Sequence, residues 1–293
     1  YVVMCGANRF EALVTPDSMD LVMAMKEGTK LVVMDPRYTK TAAMADEWHA
    51  IRPHTDMALM LAFAHVLIFE GLYDKDFVQN RCFGLEQLTE HVRNHTPEWA
   101  EKETDIPAGE IRRIARELAA AAPRAMIYPG RRSSNYTDSS QIRRAFAIVN
   151  ALLGNWDRPG GLTAARMVGL KSPHIEAPFY ETNPEDRIDA GVAKLMFDEE
   201  GSFKIARDAV IAQKPYPVKG FFTYKTNPAQ TAANREKTLK MYENLDFALS
   251  MDITMSDTAW LADLVLASQC ALERTDPCSA QQGSSACACV VMR

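Results

Sequence analysis

Short, wholly apolar runs alternate with stretches of helical periodicity along much of the chain. Val2-Val3-Met4-Cys5 leads into the turn Gly6-Ala7-Asn8, and a helical stretch then runs from Pro16-Asp17-Ser18 to Lys26 and stops at Glu27-Gly28. Leu31 to Met34 is again fully apolar, as a parallel strand buried on both faces requires, and Asp35 sits at its carboxyl end. Trp48 to Ile51 reads as a third strand, and Arg52 to Asp56 as a turn with Asp56 as a helix cap. Helices are predicted over Met57 to Glu70, Asp74 to Asn80, Leu85 to Asn94 and Ile111 to Ala122, the last ended by Pro123.

The second half repeats the theme. Ala125 to Tyr128 reads as a strand, Pro129 to Asn135 as a loop, and Ser139 to Leu153 as a helix closed by Gly154. Periodicity weakens over about 163–216, which is read as an irregular insertion with short helices. Val218 to Tyr224 is then a strand, Asn227-Pro228 a turn, and Asn234 to Glu243 a helix. Phe247 to Met251 is a strand ending at Asp252, and Thr258 to Leu264 a short helix before Val265-Leu266. Two strand-turn-helix-strand units with acidic ends, Val2 to Arg37 and Gly220 to Asp252, suggest two nucleotide-like grips on one bipartite cofactor or two similar ones. The expected fold is α/β: two Rossmann-like domains with mainly parallel sheets flanked by helices, residues 1–122 and 123–293.

Composition narrows the function. A chain of 293 residues with a net charge of -5 and no polybasic arm argues against nucleic acid as the main partner. The apolar stretch Met57 to Phe69 is interrupted by His65 and is too short to span a bilayer. Strand-like residues at both ends, Tyr1 and Val290-Val291-Met292-Arg293, lead to the expectation of a piece of a larger multi-domain enzyme. The six cysteines lack paired clusters, and Cys287-Ala288-Cys289 alone is a weak metal signal, so buried thiols are the plainer reading. His91 and His95 are four residues apart on a helix, without the carboxylate a zinc protease places between them. Ser134 and Ser140 have no nucleophile-elbow context, so classical hydrolysis is unsupported.

The polar residues at strand ends carry more. Asp35-Pro36-Arg37 joins an acceptor, a rigid turn and a forked donor, although Cys5-Gly6-Ala7-Asn8 lacks the Gly-x-Gly-x-x-Gly fingerprint of ordinary dinucleotide folds. Arg131 and Arg132, in a loop after a strand, suit a phosphate or an oxyanion, whereas Arg143 and Arg144 on the following helix read as a solvated basic face.

Cys5-Gly6-Ala7-Asn8, Val33 to Ala42, Arg52-Pro53-His54-Thr55-Asp56, Asn150 to Gly161, Thr226-Asn227-Pro228, Asp252 to Asp263 and Leu272-Glu273-Arg274 occur in one order over nearly the whole chain. In that order they resemble the molybdopterin oxidoreductases of the dimethyl-sulfoxide-reductase superfamily. Tyr128 to Ser133 and Gln281 to Ala286 look most like the catalytic subunits of thiosulfate and polysulfide reductases, with tetrathionate and arsenate reductases as near relatives. The resemblance implies a bis(molybdopterin guanine dinucleotide) cofactor carrying molybdenum or tungsten. Gly6 and Asn8 would line one diphosphate, Asp35 and Arg37 its guanosine end, and Thr55 and Asp56 the guanine edge. Gly130, Thr226, Asn227 and Asp252 would serve the second dinucleotide, with Thr258 and Asp263 as neighbours. Arg131 or Arg132 would attract a small anionic sulfur substrate or a related oxyanion.

In the family the protein ligand to the metal and the cysteines of a 4Fe-4S cluster lie upstream of such a segment, and no metal ligand is assigned here. The resemblance further implies an iron-sulfur electron-transfer subunit, a membrane-anchor subunit and a periplasmic location. Two rivals stay open: a non-catalytic scaffold of the same fold in a respiratory complex, and an ordinary nicotinamide dehydrogenase, which predicts a glycine-rich fingerprint that this chain lacks.

Overall fold

In the computed structural model the described residues are 1–11, 15–131, 139–162, 166–167, 184–190, 201–270, 273, 277–279, 281–282 and 288–290. The chain forms two compact units, Tyr1–Arg166 and Met167–Arg293. Both contain a parallel sheet, in keeping with the α/β expectation.

The first unit holds β1 (Val2–Cys5), α1 (Thr15–Lys26), β2 (Leu31–Met34), α2 (Lys40–Met44), β3 (Glu47–His49), α3 (Asp56–Phe69), α4 (Lys75–Arg81), α5 (Leu85–Val92), α6 (Pro97–Thr104), α7 (Ala108–Ala121), β4 (Met126–Pro129) and α8 (Ser139–Leu152). The strands pair in the order β3-β2-β1-β4, all parallel. Side chains alternate across a strand. Val3, Cys5, Val32, Met34 and Ile127 therefore pack with Leu59, Phe63, Leu118 and Phe146 on one face. Met4, Leu31 and Val33 turn to the other, where Ala42, Leu21 and Met25 cover them.

The boundary expected after residue 122 falls inside this unit. Met126–Pro129 hydrogen-bonds alongside β1, so the strand read as opening a second domain completes the first sheet. Among the described residues its outer edge has no strand neighbour. Asn150, buried on α8, takes that place: its Oδ1 accepts from the Ile127 N–H at 3.0 Å and its Nδ2 donates to the Ile127 carbonyl at 2.9 Å. Asn155 extends the imitation by donating to the Ala125 carbonyl at 2.7 Å and to Asn150 Oδ1 at 2.8 Å.

Two short helices were not expected. The Thr39 hydroxyl caps α2 by accepting from the Ala42 N–H, and Thr96 caps α6 with Pro97 in its first turn.

The second unit begins near β5 (Arg166–Met167) and includes α9 (Phe203–Ala212), which lies in the stretch expected to be irregular. After it come β6 (Gly220–Tyr224), α10 (Pro228–Thr231), α11 (Arg235–Glu243), β7 (Phe247–Asp252), a short 3-10 turn (Ala259–Leu261), β8 (Leu264–Ala267), β9 (Pro277–Ser279), β10 (Gln281–Gln282) and β11 (Ala288–Val290). The main sheet runs β6-β7-β8, again parallel. One face is closed by Val210 of α9 and by Met241 and Tyr242 of α11, packed with Ala248 and Phe221. On the other face Phe222 and Tyr224 of β6, and Leu264 and Leu266 of β8, are exposed. They flank the half-buried Leu249 and Met251 in two rows, Phe222-Leu249-Leu264 and Tyr224-Met251-Leu266.

Candidate functional site

Parallel strands all point their carboxyl ends the same way, and ligands in open α/β sheets bind there. In the first unit those ends bring together Gly6, Asn8, Asp35, Gly130 and Arg131. Gly6 follows β1 with φ 58, a left-handed conformation that glycine adopts without strain, and its N–H donates to the Met34 carbonyl at 2.9 Å. Gly130 follows β4 and donates to the Cys5 carbonyl at 2.6 Å. It meets the Gly6 backbone so closely that a Cβ would lie 2.0 Å from the Gly6 oxygen. Gly130, which the resemblance grouped with Thr226 and Asn227, is thus placed beside Gly6 in the first unit.

Asn8 does not offer its amide outward. Its Oδ1 accepts from the Thr41 N–H at 3.3 Å and the Thr41 hydroxyl at 2.9 Å, and its Nδ2 donates to Glu11. The second unit repeats this arrangement. Asn227 Oδ1 accepts from the Thr258 N–H at 3.1 Å and the Thr258 hydroxyl at 2.7 Å, and Asn227 Nδ2 donates to Gln230. Thr41 and Thr258 are both wholly buried. In each unit, therefore, an asparagine just after the first strand is latched to a threonine beyond the second. The asparagine sets the shape of the turn. Sequence reasoning named Thr258 only as a neighbour and Thr41 only within a motif, because the latch spans some thirty residues. The placing of both threonines after an acidic strand end was the available signal.

The acids differ in setting. Asp35 is 9% exposed; its Oδ1 accepts from the Arg37 N–H at 2.9 Å, and its carbonyl accepts from the Trp48 indole at 2.9 Å. Arg37 is exposed beside it. Asp252 Oδ1 accepts from the Ile253 N–H at 2.8 Å. Thr226 is exposed between Lys225, at φ 54, and Asn227. Asp263 holds β7 through the Ala248 N–H at 2.8 Å, a packing role.

Thr55 donates its hydroxyl to the Arg52 carbonyl at 2.7 Å, and Arg52 is forked onto Asp105. Asp56 opens α3 and is only 6% exposed. Burial, with the Asp35 charge adding to it, raises the Asp56 carboxyl from 3.8 to about 6, while its own backbone N–H and His54 pull it down. A carboxyl whose pKa is higher folded than unfolded binds more protons in the folded state. It therefore stabilises the fold below about pH 4, and that stabilisation is lost as the pH rises through about 6. Asp56→Asn is expected to gain on the parent by about 3 kcal/mol between roughly pH 4 and pH 7. Denaturant midpoints at both pH values measure this; a difference that does not change with pH would show that the carboxyl is not in this apolar setting.

Cys5 is fully buried, and burial, then the charges of Asp56 and Asp35, push its thiol well up. It is a core residue, as its place in an apolar strand predicts. Arg143 departs from that reading. Its half-buried guanidinium donates to the carbonyls of Pro129 and Gly130, each at 3.1 Å, and so holds the end of β4 from behind. Arg144 is exposed as expected. Arg131 is exposed at the same strand end, while Arg132 lies outside the described residues.

Among the described residues one trio of metal-donor types lies together, Glu47, His49 and Glu110, with ligand atoms within 4.8 Å. Its charges are already matched. Arg113 reaches Glu47, Glu110 and Glu117, Lys30 reaches Glu47 and Glu117, and the Arg113 hydrogen bond, with those from Lys30 and His49, holds Glu47 at about 2 against burial. We read the cluster as an ion-pair network. No helix among the described residues is long and apolar enough to cross a membrane.

Comparison with known proteins supplies the context for the paired sheets. The thiosulfate reductase molybdopterin-containing subunit PhsA of Salmonella typhimurium is 37% identical over 97% of this chain, which covers 39% of that protein. Acetylene hydratase of Syntrophotalea acetylenica is 34% identical over 87% of the chain and 38% of its own length. The arsenate respiratory reductase subunit ArrA of Chrysiogenes arsenatis is 28% identical over 86% of the chain and 34% of its own length. The solved structure of acetylene hydratase from Pelobacter acetylenicus superposes with a TM-score of 0.78 at 31% identity, covering 97% of this chain and 42% of that one. The chain thus spans about a third to two fifths of the length of these relatives. The model of the molybdopterin oxidoreductase family matches residues 1–287, and the chain belongs to that family.

Proposed function

We propose that this chain is the dinucleotide-holding part of a bis(molybdopterin guanine dinucleotide)-dependent respiratory enzyme that reduces a sulfur-sulfur bond in a small anion such as thiosulfate or polysulfide. The observation that carries the cofactor reading is the repeated latch, Asn8 to Thr41 and Asn227 to Thr258, at the carboxyl ends of two parallel sheets. Two similar ends of one cofactor call for two similar grips.

The donor chemistry fits such a group. In each unit the second strand ends on a carboxylate, Asp35 or Asp252, able to accept from ribose hydroxyls or a guanine edge. We assign Gly6, Asp35, Arg37, Thr55 and Asp56 to one dinucleotide, with Asn8 shaping the turn and Gly130 bounding it through its contact with Gly6. Thr226, Asn227 and Asp252 are assigned to the other. When bound, the metal would supply the two-electron redox chemistry. The side chains in this chain bind and orient, and Arg131 and Arg132 draw in an anionic substrate. An iron-sulfur subunit, a membrane anchor and a periplasmic site complete the reading, as does a 4Fe-4S cluster elsewhere in the whole protein. The sulfur substrate rests on the 37% identity to a thiosulfate reductase subunit. Arsenate, supported by a 28% relative, is the second reading.

The test uses the whole protein. Molybdenum or tungsten should be present by elemental analysis, and acid hydrolysis should release guanine nucleotide; absence of both would overturn the cofactor reading. Thiosulfate or polysulfide should be reduced in preference to arsenate. Arg131→Gln should raise the KM for thiosulfate by about tenfold to a hundredfold, the loss of one charge-assisted contact, with metal content unchanged. An unchanged KM would remove Arg131 from the substrate's path.

A further inference from the structure

The strand-end acid and the latch threonine are spaced alike in the two units. Thr41 stands six residues beyond Asp35, and Thr258 six beyond Asp252. Halfway along each segment, three residues after the acid, is a large exposed apolar side chain: Tyr38, 62% exposed, and Met255, 52% exposed. A single exposed apolar residue needs no explanation. The same position filled in this way in both units, between an acid and a wholly buried threonine, does.

The first of the two is braced. Tyr38 meets Trp48 edge to face, with ring centroids 5.0 Å apart and planes at 71°. The Trp48 indole N–H is fixed in turn to the Asp35 carbonyl at 2.9 Å, so both rings are tied to the end of β2. Trp48 lies on β3, and the strands run in the order β3-β2-β1. Neighbouring strands are about 4.8 Å apart. A nucleotide with its diphosphate at the Gly6 turn after β1 and its sugar at Asp35 after β2 therefore carries its base on toward β3, where the two rings stand.

We propose that the residue three places after the strand-end acid is the surface on which a guanine ring lies: Tyr38, backed by Trp48, in the first unit, and Met255 in the second. This rests on the dinucleotide reading given above. A purine offers a flat π face that stacks on an aromatic ring, and a polarisable thioether packs against the same face with less demand on geometry. The acid takes the polar groups of the nucleotide and the platform takes the face of its base. The aromatic pair makes the first grip the firmer one.

The test uses the whole protein, isolated with its nucleotide bound. It is held in mild denaturant and sampled over time, and guanine is measured after acid hydrolysis in the released and the retained fractions. Tyr38→Ala should make one half of the guanine leave about tenfold to a hundredfold faster, while the other half keeps the parent's rate. Met255→Ala should speed the other half, by a smaller factor. Tyr38→Phe, which keeps the ring, should restore the parent's time course. A variant that merely loosens the fold would quicken both halves together, and that outcome overturns the assignment. So does release at the parent's rate from either alanine variant, or a Tyr38→Phe protein that behaves like Tyr38→Ala. Each of these results leaves the cofactor reading standing, whereas a parent protein that yields no guanine brings down both.

Discussion

Gly130→Ala is expected to destabilise the first unit by roughly 3 kcal/mol and to empty the protein of guanine nucleotide, the largest effect of adding a single methyl group at the proposed site. The reason is space and not backbone conformation. A Cβ on Gly130 would lie 2.0 Å from the Gly6 oxygen, 2.3 Å from the Gly6 carbonyl carbon and 2.6 Å from the Cys5 oxygen, and all three are backbone atoms. Neither side has freedom to retreat. Gly130 is tied to Cys5 by its own N–H, and Gly6 is tied to Met34 by its N–H, so moving either breaks a hydrogen bond of the sheet's carboxyl edge. Arg143 holds the carbonyls of Pro129 and Gly130 on the far side. Chemical unfolding and nucleotide content of the whole protein check the expectation together. A fully loaded variant with the parent's midpoint would mean that β1 and β4 do not approach as described.

Asn150→Leu, which keeps the number and branching of side-chain heavy atoms, should cost a similar amount, about 3–5 kcal/mol. The variant leaves the Ile127 N–H and carbonyl, both inside the fold, without the partners that Asn150 gives them, and it removes an acceptor from Asn155. Buried polar groups left unmatched cost about 1–3 kcal/mol each. Asn150→Asp is the informative control, since it keeps the acceptor for Ile127 and loses the donor. Backbone hydrogen exchange at Ile127 should speed up most in the leucine variant and less in the aspartate variant. Unchanged protection at Ile127 would show that the amide does not act as a neighbouring strand.

Much of this was legible in the sequence because strands of a parallel sheet announce themselves. Leu31 to Met34 is apolar at every position since both its faces are covered, and Asp35 ends it at the sheet's carboxyl edge. The paired units were visible for the same reason. What was not legible depended on distant partners. Asn150 and Asn155 were seen as parts of a family motif, but their work as a surrogate strand exists only once α8 lies beside β4. The strand at 126–129 was found and placed in the wrong domain, because a sequence shows that a strand exists and not which edge it joins. Arg143 looked like a solvated charge until its fork met the two carbonyls at the end of β4. The short helices at Lys40–Met44 and Pro97–Thr104 carried threonine caps that could have been read, but they lack the length that makes periodicity persuasive.

The open face of the second sheet has a practical consequence. Phe222, Tyr224, Leu264 and Leu266 present flat apolar rows of the kind that draw molecules together. For the 293-residue chain prepared by itself, crowding in the tube is then expected to limit the concentration at which it can be handled. Dilution, mild detergent or arginine in the buffer, and cooling, which weakens apolar association, would help to keep it in solution.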